Sequence, residues 1–291
     1  MESAILRTVL YADIFDYPLT LEEIFLYLIG READSPAEVE SLLNSSARLQ
    51  ELLCQQQGFV VLRTRPELIE RRLERQAHAG PLMQTAQRYG RWLAQIPFVR
   101  MVAITGAVAM NNPSHADDDI DYMLIVQPGR VWLTRALAIA LVRLARLRGV
   151  ELCPNYVLAA DKLPQTRTDL YVAHELAQMR PVFGYDHYRD LLDANDWAWR
   201  FLPNSSAQPP LTDEAQLVLK RALEYLLGGR LGSLLDALEY RRKSARFQQR
   251  IQADAAAVIG PHAVKGHFRD HGQRILDAYY ERLARYNVAP H

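Results

Sequence analysis

Apolar residues recur at three- and four-residue spacing near the start of the chain, where Ile5, Leu6, Val9 and Leu10 mark a first helix. Pro18 interrupts it. Thr20-Leu21-Glu22-Glu23 then places a hydroxyl N-cap three positions before an acid, which predicts a second helix. Ser35-Pro36 opens a third, with Val39, Leu42 and Leu43 on its apolar side. The pattern changes at Leu52-Leu53-Cys54, a Gln-Gln-Gln-Gly break and Phe59-Val60-Val61-Leu62, which predict two short strands around a turn. Three helices followed by a hairpin is the order of a winged helix. Two further helices are predicted at about 66–77 and 82–94.

Residues 97 to about 160 alternate differently. Val99 to Thr105 reads as a strand, Gly106 starts a short helix, and Ile120 to Val126 is a near-continuous apolar strand closed by Pro128-Gly129. A long helix is predicted over 130–148 and ends at Gly149, with a third strand over 150–159. Strand, helix, strand, long helix, strand is an α/β unit around a central sheet. From about residue 168 the spacing is helical, with segments at 169–180, 185–200, 212–228, 230–256 and 269–287. Pro181, the 203–210 loop, Gly228-Gly229 and Gly260-Pro261 separate them. The predicted organisation is a helical, winged-helix-like region at 1–95, an α/β core at 96–165 and an all-α region at 166–291.

Composition adds limits rather than a function. The chain has 291 residues, 49% hydrophobic and 23% charged, an ordinary globular balance with room for more than one domain. Lys plus Arg and Asp plus Glu are 34 each, so capture of long nucleic acid by overall charge is not expected. Arg supplies 30 of the 34 cations. Its planar fork suits phosphate or carboxylate, although GC-rich coding or ion pairing explains the bias better. The two cysteines, Cys54 and Cys153, lie far apart without metal-ligand spacing, so no disulfide framework or zinc site is expected. The N-terminus lacks the basic start and apolar run of a signal peptide. The apolar stretch around 131–147 carries Arg135, Arg143 and Arg146, too many charges for a membrane span. A cytoplasmic protein with no membrane contact is expected.

Chemistry concentrates at residues 106–121. Asp119 and Asp121 are two apart at the head of a strand, so their carboxylates share a face. Two close acids raise each other's pKa unless a cation lies between them. Hard divalent ions such as Mg²⁺ take that kind of oxygen ligand, completed by phosphate and water. At Gly106 the backbone turns from strand into helix, and free amides at a helix start favour phosphate. A phosphate seat facing a carboxylate pair is the layout of phosphoryl or nucleotidyl transfer.

The run Ile104-Thr-Gly-Ala-Val-Ala-Met110, followed by Asp-Asp-Ile-Asp121 and an apolar strand, resembles the core motif of the DNA polymerase β-type nucleotidyltransferase superfamily. The likeness is sharp over about 99–126 and looser to about 158. It implies that Gly106 and the Ala107 amide position a nucleoside triphosphate and that Asp119 and Asp121 hold two Mg²⁺ (or Mn²⁺) ions. Ala107 departs from the family's usual Ser. The family's third carboxylate would fall on the strand over 150–158, where Asn155 stands mid-strand. Asn155 is therefore assigned to nucleotide binding, and Glu151 is the candidate third acid. Alternation places Glu151, Cys153 and Asn155 on one face. His174 and Glu175 on the following helix are further candidates.

The expected function is Mg²⁺-dependent transfer of a nucleotidyl group from an NTP to an unidentified acceptor, whether a small molecule, a protein side chain or an RNA end. A degenerate nucleotide-binding or regulatory protein is the alternative, as is a winged-helix DNA binder. For DNA, Arg63, Arg65, Arg71, Arg72 and Arg75 are the best basic cluster, yet Glu67, Glu70 and Glu74 between them suggest ion pairs along the helix surface. Lys265 to His271 concentrates cations and histidines that could meet a triphosphate or acceptor. Tyr185, Tyr188, Trp197, Trp199 and Phe201 are read as packing for the helical region.

Overall fold

A computed structural model describes residues 1–205, 218–251, 259–265 and 271–291. Helix α1 (Glu2–Asp13) is buried from Ala4 to Asp13 except at Arg7, with the polar Thr8 and Asp13 among its enclosed residues. α2 (Leu21–Leu26) carries the expected capping box: the Glu23 amide donates to Thr20 Oγ1 at 3.2 Å, and the Thr20 amide donates to Glu23 Oε2 at 2.9 Å. α3 (Pro36–Ser45) and α4 (Ala47–Leu52) lead into an antiparallel ribbon of β1 (Leu53–Gln56) and β2 (Phe59–Leu62).

α5 runs unbroken over Leu68–Ala94, where two helices were expected. Pro81 sits inside it. Proline in a helix interior costs about 3 kcal/mol or more. Leu82, Ala86, Tyr89 and Leu93, at helical spacing, are buried against the sheet. Their burial, about 1.5–3 kcal/mol for each large side chain, outweighs that cost.

The sheet core follows: β3 (Val99–Thr105), α6 (Gly106–Ala109), β4 (Ile120–Val126), α7 (Val131–Arg146) and β5 (Leu152–Ala159). Beyond it come α8 (Leu170–Gln178), β6 (Arg180–Phe183), α9 (Tyr185–Asp193), α10 (Ala198–Phe201), α11 (Val218–Leu227), α12 (Arg230–Ile251), β7 (Ala263–Lys265) and α13 (His271–Arg285). Expected helical positions 212–217, 252–256 and 269–270, and most of the expected 203–210 loop, lie outside the described residues.

The five-stranded sheet has the order β6-β3-β4-β5-β7. Only β4 and β5 are parallel, joined by the α7 crossover; the other neighbours are antiparallel. The region after residue 166 is therefore not all-α, because it supplies both edge strands. Pro181, expected to separate helices, lies within β6, and an edge strand tolerates its missing N–H. β7 has three residues, too few for an alternation signal.

One face of the sheet, with Met101, Ala103, Met123 and Ile125, packs on α1, α8, α10 and α13. The other, with Val102, Ile104, Tyr122 and Leu124, packs on α5 and α7. α7 buries one face only, and Leu144 and Leu147 near its C-terminus are exposed. Among the described residues no helix is long and apolar enough to cross a membrane. Tyr188 is buried, and Tyr185, Trp197, Trp199 and Phe201 pack against the α1-side core, as expected.

Candidate functional site

The site is built at the end of β3. Thr105 pairs with Asp121 across the β3–β4 ladder, and the next residue, Gly106, turns the chain with φ of 66°. A β-carbon on Gly106 would stand 2.5 Å from Asp121 Oδ2. Glycine is thus required twice, for the left-handed backbone and for the approach of the carboxylate. Gly106 and Ala107 remain exposed at the head of the short α6, beside Asp121.

Asp119 and Asp121 flank Ile120, whose side chain is buried on the α5–α7 side of the sheet. Asp119 is exposed and Asp121 half-buried. With Cys153, opposite Asp121 on β5, they form a group whose ligand atoms all lie within 4.8 Å of one another. Burial raises the Asp121 pKa to about 8, helped by the neighbouring charges of Asp119 and Glu175, while the Asn155 hydrogen bond pulls the other way. Burial, then a hydrogen bond and charge from Asp119, push the Cys153 thiol up to about 12. The two carboxylates fit a hard divalent cation, which would relieve their repulsion, and Cys153 lies within reach of the same position. Cys153 was not expected as a ligand because strand pairing, not sequence spacing, brings it to the acids.

The third strand departs from simple alternation. Asp121 opposes Cys153, but Met123 opposes Tyr156, so β5 carries an extra residue between those pairs. The expected common face of Glu151, Cys153 and Asn155 is broken there. Asn155 still reaches the site and donates its Nδ2–H to Asp121 Oδ1. Glu151 does not join it. It lies before the strand, half-exposed, and accepts from Arg146 Nε at 3.0 Å. That hydrogen bond holds its carboxyl below the usual range.

Glu175 comes in instead, from α8. It lines a cavity of about 300 Å³ together with Gly106, Ala107 and Asp121. Burial raises its pKa, opposed by the Lys265 charge and by a hydrogen bond from the Tyr171 hydroxyl. His174, one residue earlier, is buried and stacked on Tyr11, with centroids 3.9 Å apart and an angle of 15°. Its Nδ1–H donates to Leu170 O at 3.0 Å, and burial lowers its pKa to about 4, so the ring is neutral at pH 7. Of the Lys265–His271 cluster, 266–270 lie outside the described residues. Lys265 borders a neighbouring smaller cavity, and His271 lines the larger one.

The N-terminal region holds the loop after α6. The Tyr17 hydroxyl lies 2.7 Å from Met110 O and 2.6 Å from Glu23 Oε1. Arg72, 2% exposed, pairs with Glu23 at 2.9 Å and lies 3.6 Å over the Tyr17 ring. Arg75 donates to Asn112 Oδ1 at 3.0 Å. Arg65 and Arg71 pair with Asp13 and Asp16, and Arg63 donates to carbonyls of residues 50, 51 and 53. The expected pairing along the helix surface is thus corrected: the main partners are remote acids and carbonyls, and Glu67 approaches Arg65 only at 4.0 Å.

The chain matches no family model, no curated protein and no solved structure.

Proposed function

We propose that the chain transfers a nucleotidyl group from an NTP to an acceptor, using a divalent cation at Asp119 and Asp121. The observation that carries this reading is the Gly106–Asp121 corner. A left-handed glycine presses against one carboxylate of a pair, at the mouth of a cavity large enough for a substrate group. The resemblance of residues 104–121 to the nucleotidyltransferase motif points the same way.

A bound Mg²⁺ or Mn²⁺ would supply charge neutralisation for the triphosphate and polarisation of the acceptor. The exposed backbone at Gly106 and Ala107 would seat the phosphates. Asn155 would hold Asp121 in one rotamer through its N–H donation. In the transfer an acceptor oxygen bonds to the α-phosphorus, the bond from that phosphorus to the bridging oxygen breaks, and pyrophosphate leaves. Glu175 would take the acceptor's proton; burial shifts its pKa upward, the direction that makes a carboxylate more basic.

The test is incubation with α-labelled NTPs, Mg²⁺ and a small-molecule extract, reading labelled product and pyrophosphate. Asp119→Asn and Asp121→Asn should each reduce transfer at least about 100-fold, as loss of a main charge-stabilising group does. Full activity in either variant would sink the assignment.

A second reading, nucleotide binding without turnover, is favoured by Asn155 in place of an acid and by the engagement of Glu151 with Arg146. It predicts metal-dependent NTP binding with no pyrophosphate released. For DNA binding by 1–95 there is less support, since the arginines that would meet phosphates are engaged internally.

A further inference from the structure

The cavity behind the Gly106–Asp121 corner has a chemistry that selects its occupant. Its volume of about 300 Å³ is ample for a ring with substituents; an apolar cavity of about 150 Å³ suffices for benzene. Tyr11, Phe15, Tyr17 and Tyr171 give it aromatic walls, and Asp121 and Glu175 give it two acids. No lysine or arginine is among the described residues that line it. Lys265, whose charge reaches Glu175, borders the neighbouring cavity instead.

Two polar groups of largely buried wall residues lack partners among the described residues. His174 is 3% exposed and uses its Nδ1–H on Leu170 O, so its Nε2 carries a lone pair. That nitrogen has no hydrogen bond among the described residues. Tyr11 is 4% exposed, and its hydroxyl likewise has none there. Both residues line the cavity, so these two atoms are available to a ligand in it.

Among the described lining residues the inventory is therefore acceptors, acids and ring faces, without lysine or arginine. Its complement is an N–H-rich cation on a flat or apolar body, which rings attract through their faces and carboxylates through charge. We propose that this cavity binds a small organic amine with an aromatic or apolar body, the acceptor-side ligand of the transfer. The acceptor role rests on the nucleotidyltransfer reading; the amine site rests on the cavity alone.

The test uses the full chain with tyramine, benzylamine and cyclohexylamine, each paired with the alcohol that replaces its amine: tyrosol, benzyl alcohol and cyclohexanol. Affinities are read by calorimetry or ligand-observed NMR. At least one amine should bind about 10-fold or more tightly than its alcohol. His174→Phe keeps a ring against Tyr11 and removes the acceptor, so it should weaken that amine at least 10-fold. If circular dichroism shows that variant unfolded, Tyr11→Phe, which removes only a hydroxyl, should weaken it several-fold. Binding of a non-hydrolysable NTP with Mg²⁺ is measured in the same preparation. NTP analogue bound with no amine bound overturns the amine site alone. Amine bound with no NTP analogue supports the site and overturns the transfer reading. Equal affinity for amine and alcohol, or displacement of the amine by the NTP analogue, overturns the proposal.

Discussion

At the residue scale, the site depends on short-range geometry that sequence states well and on long-range partners that it does not. Gly106, Asp119 and Asp121 were legible because a turn and a two-residue strand repeat determine their placement. His174 shows the opposite. Its position on α8 gave no sign of the Tyr11 stack or of a buried lone pair. Burial lowers its pKa from 6.5 to about 4. Such a base contributes stability that is full above the unfolded pKa and is lost as pH falls from about 6.5 toward 4. His174→Phe should therefore flatten the fall in stability across that window, by up to about 3 kcal/mol at its acid end. Thermal melts of both proteins from pH 4 to 8 check this; parallel curves would contradict it. Glu175 was legible only as a candidate, because it enters the cavity from a helix and not from the strand where alternation pointed. The extra residue in β5 after Cys153 is a backbone event with no sequence marker beyond Pro154 and Asn155.

At the scale of elements, the helices and central strands follow their hydrophobic periods, and the discrepancies have physical causes. α5 continues through Pro81 because the sheet rewards burial of its second half. β6 and β7 are short edge strands, and pairing rather than pattern defines them. The arginines after β2 were read against their neighbours on the helix, whereas their main partners are Asp13, Asp16 and Glu23 far away in sequence. Arg72 is the sharpest case: its guanidinium links α5 to Glu23 and Tyr17, and through Tyr17 to the carbonyl of Met110 beyond α6. Arg72→Met should destabilise the fold by roughly 3 kcal/mol, because Glu23 loses its partner in a largely enclosed place. Glu23→Gln in that background should recover part of the loss. Denaturant melts of the single and double variants measure it, and a neutral single variant would remove the link from the account.

For the whole molecule, the described structure joins its N-terminal helices, central sheet and later helices into shared cores on the two sheet faces. The cavity lies where these segments meet: α1 and the turn after it form one wall, α6 and Asp121 a second, and α8 a third. That arrangement explains why only half of the site was readable. The motif within 104–121 is contiguous, but the wall residues are assembled by the fold. We propose that the Gly106–Asp121 corner holds a nucleotide with a divalent cation. Calorimetric titration with a non-hydrolysable NTP, with and without Mg²⁺, tests it most directly. Saturable binding that needs Mg²⁺ or Mn²⁺ and falls at least 10-fold in Asp121→Asn is the predicted result. Absence of binding at millimolar nucleotide, or binding indifferent to both the metal and Asp121, would contradict it.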